Sequence, residues 1–145
     1  MLAKTHLAFG FFLSLIITPM LNMQNSLIFT LIILLGSVLP DIDNPKNFFG
    51  FPFIGWFTKH RGIFHSIYLA ALFPLILAYF TNLSYGIALF IGYFSHLVFD
   101  SLTKSGINFL HPFSSFKISG FIETGSIIEY IIFVFLCTAI AVKLF

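Results

Sequence analysis

The sequence contains few charged residues. Asp, Glu, Lys and Arg make up 8% of its 145 residues, whereas a soluble domain typically carries about 25%. Hydrophobic residues make up 59%, and the mean hydropathy is +1.03. Because so few charges cannot cover the surface of a soluble domain of this size, the composition excludes that class. It predicts a polytopic membrane protein.

Cysteine and a strong net charge are also nearly absent. The single Cys137 lies in an apolar run and cannot form an intrachain disulfide. The formal net charge is only +2 and the basic residues are scattered, so we expect no nucleic-acid partner. No small-x-small cleavage site follows the first apolar run, so we expect a retained helix there instead of a secretory signal peptide.

Long apolar runs, in contrast, are abundant, and they predict an all-α transmembrane bundle. A spanning helix needs about 20 mainly apolar residues, and the chain offers about five such runs in a single domain over residues 1–145. The predicted spans are residues 3–21, 26–39, 61–80, 85–102 and 124–144. Residues 48–57 are rich in aromatic side chains, and we expect them to lie along the membrane interface.

The charges outside the predicted spans indicate the topology. Both long loops are basic, and the two short turns between spans carry no charge; the loop residues are Lys46, Lys59, Arg61, Lys104 and Lys117. The positive-inside rule therefore places both long loops and the N-terminus in the cytoplasm. Lys143, at the end of the last predicted span, is a mild exception, because this topology places the C-terminus outside the cytoplasm. We expect a multi-pass protein of the cytoplasmic membrane.

All histidines and aspartates fall on the cytoplasmic face in this topology. They are His6, Asp41, Asp43, His60, His65, His96, Asp100 and His111. Ionisable groups near a bilayer are costly and usually functional. Imidazole and carboxylate are common ligands of zinc, iron and manganese. The segregation of these residues therefore predicts a site for one or two divalent metal ions on the cytoplasmic face.

Two pairs of candidate site residues are spaced by four positions, His96 with Asp100 and Arg61 with His65. His96 and Asp100 end the predicted fourth span, so they share one face of a helix. Arg61 would share a face with His65 if one helix includes both, and its guanidinium could then clamp a phosphate. Simpler interpretations exist, such as an interhelical hydrogen-bonded pair for His96 and Asp100. They explain poorly why all these groups share one face.

Three segments resemble a known family. They read Leu-Pro-Asp-Ile-Asp at 39–43, His-Arg-Gly-Ile-Phe-His-Ser at 60–66, and Gly-Tyr-Phe-Ser-His-Leu-Val-Phe-Asp-Ser-Leu-Thr at 92–103. With Thr5-His6 before them and Gly106 and Pro112 after them, they resemble the membrane-bound metal-dependent hydrolases, which include LexA-regulated inner-membrane hydrolases of bacteria. The resemblance implies an integral membrane hydrolase that uses a divalent metal. His111 departs from the family pattern, which usually has a bulky aromatic residue at this position.

The positions that match the family pattern are His6, Asp41, Asp43, His60, Arg61, His65, Ser66, His96, Asp100 and Thr103. We assign five of them as metal ligands: His6, Asp41, His65, His96 and Asp100. Asp43 is a ligand or the general base, His60 protonates the leaving group, and Arg61 stabilises phosphoryl charge. Zinc is the expected metal, with manganese or iron as alternatives. A site at headgroup level predicts a lipid or other amphiphilic phosphoester as substrate.

Three other functions match part of this pattern. A non-hydrolytic di-metal lipid-modifying enzyme could use a histidine-rich site, but the His-x-x-His-His clusters of membrane desaturases are missing. A metal transporter would place its site near the bilayer midplane, whereas these residues crowd one end of the spans. A structural protein with a metal staple would gain stability from the ion without cleaving an ester. Glu123 and Glu129 share the face, and Glu129 is a candidate for a supporting or basic role.

Overall fold

The computed structural model describes residues 1–43 and 62–145, and these residues form a helical bundle. The five α-helices are α1 (Ala3–Met20), α2 (Ser26–Val38), α3 (Ile67–Phe80), α4 (Leu83–Ser101) and α5 (Ile127–Leu144). Two short 3-10 turns, Leu39–Asp43 and Ile63–His65, lie between α2 and α3. The predicted all-α class is confirmed, and the described residues contain no β-strand. The aromatic segment 48–57 lies outside the described residues.

Four of the five helical segments are long and apolar enough to cross a membrane: α1, α2 with its 3-10 extension, α4 and α5. Helix α3 has 14 residues. At 1.5 Å per residue it is about 21 Å long, which is shorter than the roughly 30 Å hydrocarbon core of a bilayer. The bundle therefore has four candidate spans and one shorter apolar helix.

The start of α3 differs from the sequence prediction. The predicted helix began at residue 61, but Ser66 has an extended backbone and serves as the N-cap of a helix that starts at Ile67. His65 lies before this cap, in the 3-10 turn Ile63–His65. A face shared by Arg61 and His65 required one helix to include both, but His65 lies before the start of α3. Arg61 lies outside the described residues.

Helix α2 ends at Val38, two residues before Pro40. Proline lacks an amide hydrogen and disfavours α-helical backbone in the residue before it, so it cannot continue a regular helix. The chain continues as the 3-10 turn Leu39–Asp43, which turns both aspartates into the bundle. Asp41 is 5% exposed and Asp43 is completely buried.

Helices α2 and α4 run parallel and approach each other closely at two glycines. A Cβ atom on Gly92 would lie 2.1 Å from the carbonyl oxygen of Ile33, and one on Gly36 would lie 2.7 Å from that of Leu89. Small residues allow membrane helices to pack with their backbones this close. The approach brings the C-terminal ends of α2 and α4 together. Asp41 follows the end of α2, and His96 and Asp100 lie in the last turns of α4.

Helix α1 buries a stripe of small and polar residues, and Gly10 in this stripe lies against Ser37 of α2. Its buried side is formed by Thr5, His6, Gly10, Ser14 and Thr18. The spacing of four residues keeps this stripe on one face of the helix. The first turn of α1 therefore directs His6 into the bundle, towards the end of α4.

Candidate metal centre

Four buried side chains from three segments meet at one end of the bundle. The 3-10 turn Leu39–Asp43 supplies Asp41, the turn Ile63–His65 supplies His65, and α4 supplies His96 and Asp100. One ligand atom from each residue lies within 4.8 Å of the other three. All four residues are at most 5% exposed. A group of this composition and size can hold a metal ion.

The separations between imidazole and carboxylate atoms suit ligands of a shared cation. His65 Nε2 lies 3.7 Å from Asp41 Oδ1 and 3.6 Å from Asp100 Oδ2, and the corresponding distances from His96 Nε2 are 3.7 Å and 3.8 Å. Hydrogen bonds from N–H to oxygen usually span about 2.7–3.2 Å. Two ligands that each lie about 2.0–2.2 Å from one zinc ion stand further apart than that. The donor set therefore fits a metal ion.

The ring of His96 is oriented by helix α2. Its Nδ1 lies 2.8 Å from the carbonyl oxygen of Ser37. Because a carbonyl oxygen only accepts hydrogen bonds, we assign the proton to Nδ1 and a lone pair to Nε2. Within the described part of the chain, Nε2 makes no hydrogen bond. Metal-ligating histidines typically have this arrangement, with the outer nitrogen donating to an oxygen and the inner one free to bind.

His6 lies beside these four residues. Its Nε2 is 3.3 Å from Asp100 Oδ1, and its ring stacks on that of His96 with 3.8 Å between centroids and 13° between planes. The backbone nitrogen of Met1 also contacts Asp100 Oδ1. The five residues assigned as ligands are thus neighbours in space, with four in one compact group and His6 at its edge. Ligation by each of them stays a prediction.

The electrostatics of the centre favour a divalent cation. Burial by itself would lower the pKa of His65, because it disfavours the charged imidazolium. The facing carboxylates of Asp100 and Asp41 outweigh burial, and the pKa of His65 is raised above its usual value. Two buried carboxylates thus attract positive charge to this position. A divalent ion bound by neutral imidazoles would cancel both carboxylate charges.

The other predicted site residues lie apart from this group or outside the described residues. Asp43 is buried in the same 3-10 turn as Asp41 but does not belong to the group of four. His111 is partly buried in the loop between α4 and α5, before Pro112, and is also not a member. His60 and Arg61 fall outside the described residues, so their proposed catalytic roles stay predictions.

Comparison with known proteins identifies the family. The sequence profile described as YdjM inner membrane protein matches residues 1–144, which is nearly the whole chain. The chain belongs to the YdjM inner membrane protein family. This membership and the four apolar spans confirm a membrane-integral protein. Its orientation in the membrane stays a prediction.

Two relatives carry the family name. The inner membrane proteins YdjM of Escherichia coli (strain K12) and of Shigella flexneri are each 34% identical to this chain over 94 residues. Each match covers 54% of this chain and 46% of the relative, so this chain spans less than half the length of the YdjM proteins that it matches. No solved structure matches the chain.

Glu129 has a structural role that the sequence interpretation left open. Its Oε1 accepts hydrogen bonds from Leu2 N at 2.6 Å and Thr5 Oγ1 at 3.0 Å, and its Oε2 accepts one from Gly125 N at 2.7 Å. Leu2 is the N-cap residue of α1 and offers no capping side chain. A carboxylate of α5 therefore caps α1, where the helix dipole favours negative charge. Since His6 directly follows Thr5, Glu129 also holds the turn that carries His6.

A signal for part of this role was present in the sequence. The segment Ser126-Ile-Ile-Glu129 has the spacing of a capping box, which predicts a local contact at the start of α5. The Ser126 hydroxyl does accept from the Glu129 amide at 3.5 Å. The contact from the Glu129 carboxylate to α1 was not predictable from this spacing, because it depends on how α1 and α5 pack.

We expect Glu129→Ala to lower the free energy of unfolding by about 1–3 kcal/mol, because it leaves buried donors without an acceptor. Thermal unfolding followed by circular dichroism in detergent would measure this loss. Glu123→Ala is the matched control, since the Glu123 side chain is 64% exposed and pairs with Lys104 on the surface. Equal melting temperatures for the two variants would contradict the capping role.

Proposed function

We propose that this protein is an integral membrane metal-dependent hydrolase that cleaves a phosphoester of a lipid or other amphiphile. The observation that carries the proposal is His96, whose Nε2 lone pair faces Asp41 and Asp100 while its Nδ1 donates to a backbone carbonyl. When bound, one or two divalent ions supply Lewis acidity that activates water and polarises the ester. Zinc is the first candidate, with manganese or iron as alternatives.

Each residue has a proposed role in this reaction. Asp41, His65, His96 and Asp100 would hold the ion, and His6 would support or complete the donor set beside Asp100. Asp43 is buried in the same 3-10 turn as Asp41. As the general base, its carboxylate would accept a proton from water. In the proposed reaction His60 protonates the leaving group and Arg61 stabilises the charge that develops on the phosphoryl group.

The position of the centre supports a substrate that resides in the membrane. His6 lies in the first turn of α1, Asp41 follows the end of α2, and Asp100 lies in the last turn of α4. These are the ends of membrane-spanning segments, which lie near the lipid headgroups. The basic loops support a cytoplasmic location for this end. A lipid phosphoester could reach such a centre without leaving the bilayer.

The test is a turnover assay on the full chain in lipid nanodiscs. The protein is stripped with a chelator, reloaded with zinc, manganese or ferrous iron, and given phosphatidic acid, lysophospholipids and a water-soluble phosphomonoester. We expect metal-dependent release of phosphate or headgroup from at least one lipid phosphoester, and loss of that release in Asp41→Asn. A metal-loaded protein that cleaves none of these esters would contradict the proposal.

One observation favours a second candidate, a structural metal site. All four grouped residues are at most 5% exposed, and structural zinc sites are closed in this way, whereas catalytic sites keep one position open. In that case the ion would raise the melting temperature and no ester would be cleaved. Thermal unfolding of the stripped and reloaded nanodisc samples, measured beside the turnover assay, distinguishes the two functions.

A further inference from the structure

The loop of residues 102–126, between α4 and α5, presents large apolar side chains to its surroundings. Phe113 is 81% exposed, Phe116 60% and Phe121 72%. These phenylalanines lie in a segment that contains no helix. Several exposed phenylalanines this close in sequence usually mark a surface that another apolar phase or molecule covers.

The exposure does not come from a loosely packed loop. Lys104 N donates to Ile122 O at 2.9 Å, and Ile107 and Ile118 exchange two backbone hydrogen bonds of 2.9 Å. The inward side chains Ile107 and Ile122 are 1% and 4% exposed. The loop thus already fills its side of the protein core with other apolar residues, and the phenylalanines remain outside a folded segment.

Close backbone packing holds the shape of this loop. A Cβ atom on Gly120 would lie 2.3 Å from the carbonyl oxygen of Leu102, and Gly106 has a φ of +58°, which favours glycine. Thr103 Oγ1 donates to the backbone oxygen of Asp100 at 2.7 Å. The loop is therefore tied to the end of α4 that carries Asp100.

The position and charge of the loop indicate what covers the phenylalanines. Its two ends join Ser101, the last residue of α4, and Ile127, the first residue of α5, and both helices are candidate membrane spans. The loop therefore starts and finishes where spans leave the hydrocarbon core. Lys117 lies exposed on the same loop, whereas Lys104 pairs with Glu123, and an exposed lysine at this level attracts anionic headgroups.

We infer that the 102–126 loop is a lipid-binding surface that inserts Phe113, Phe116 and Phe121 into the membrane interface, with Lys117 at anionic headgroups. The loop continues from the last turn of α4, which carries Asp100. This surface goes beyond the proposed hydrolysis and does not depend on it, since the loop would bind lipid whether or not the centre cleaves an ester.

A tryptophan reporter tests the insertion in the full chain. In a Trp56→Phe background, which removes the only native tryptophan, Phe116→Trp is reconstituted into phosphatidylcholine–phosphatidylglycerol vesicles. We expect blue-shifted emission that brominated phospholipids quench and aqueous acrylamide does not. Ser115→Trp, at the exposed polar neighbour, is the matched control and should show the opposite quenching. Phe135→Trp, on the exposed surface of α5, provides the fully lipid-quenched reference.

Two results would overturn the inference. Quenching of the Phe116→Trp reporter by acrylamide alone would show that the loop projects into water. Protection from both quenchers would show that a protein surface, such as a second copy of this chain, covers the loop. Phe113→Trp and Phe121→Trp give independent reporters if the first variant does not fold. Lys117→Gln should also lose the part of the bromolipid quenching that depends on phosphatidylglycerol.

Discussion

Asp100→Asn is expected to raise the dissociation constant for zinc by more than about 100-fold, since losing even an outer partner of a metal ligand typically costs 10–100-fold. Asp100 is the carboxylate that the histidines share. His6, His65 and His96 approach its oxygens at 3.3, 3.6 and 3.8 Å. The substitution removes one of the two carboxylates of the group of four and keeps the size of the side chain.

Zinc affinity would be measured by competition with a chromophoric chelator on the purified full chain in nanodiscs. Glu123→Gln is the matched control, because it also neutralises a carboxylate but at an exposed position, in the ion pair with Lys104. Its zinc affinity should equal that of the unmodified protein. Circular dichroism would verify that both variants keep their helices. An unchanged dissociation constant for Asp100→Asn would contradict the assignment of this residue as a ligand.

The same variant separates a metal centre from a plain polar network. If the buried histidines and aspartates only pair with one another, Asp100→Asn should change the melting temperature of the metal-free protein, and added zinc should have no effect on either form. A metal centre predicts that zinc stabilises the unmodified protein and fails to stabilise the variant, because an ion that binds only the folded state shifts unfolding by mass action.

Gly92→Ala is expected to lower the free energy of unfolding by about 3 kcal/mol, at the upper end of the usual cost of overpacking. The added Cβ atom would lie 2.1 Å from Ile33 O and 3.0 Å from the Cα atom of Gly36. Both neighbours are backbone atoms of α2, so no side-chain rotation relieves the clash. Helix α2 must move away from α4, which also breaks the hydrogen bond from His96 Nδ1 to Ser37 O.

Gly10→Ala is the control for this effect, since it adds the same methyl group to another buried helical glycine. Its Cβ atom would meet the Cβ and Oγ atoms of Ser37 at 3.0 Å, a clash that a shift of a few tenths of an ångström relieves, whereas the Cβ atom on Gly92 would lie 2.1 Å from a carbonyl oxygen. Unfolding in denaturant would compare the two variants with the unmodified protein, and zinc competition would report on the centre. We expect Gly92→Ala to lose both stability and zinc affinity, and Gly10→Ala to lose much less. Equal stability of Gly92→Ala and the unmodified protein would mean that α2 and α4 do not pack this closely.

The helical class and the shared end of the site were predictable from the sequence for one physical reason. A bilayer offers no hydrogen bonds to the backbone, so apolar runs of about 20 residues must form helices. Successive spans then alternate in direction, which brings the residues around Asp41 and those around Asp100 to the same end. Helix α5 shows the limit of this reasoning, since it was predicted from residue 124 and begins at Ile127, after the cap at Ser126.

Interatomic contacts were decided only by the tertiary structure. Hydropathy averages over a whole span, so it could not show that α3 begins only after its N-cap residue Ser66. His65 therefore lies in a separate turn. The tautomer of His96 depends on the carbonyl of Ser37, and that contact exists because two glycines let α2 and α4 approach. The sequence by itself determined which residue types share one end of the bundle. The distances between their ligand atoms depend on how helices distant in sequence pack, and local patterns carry no information about that packing.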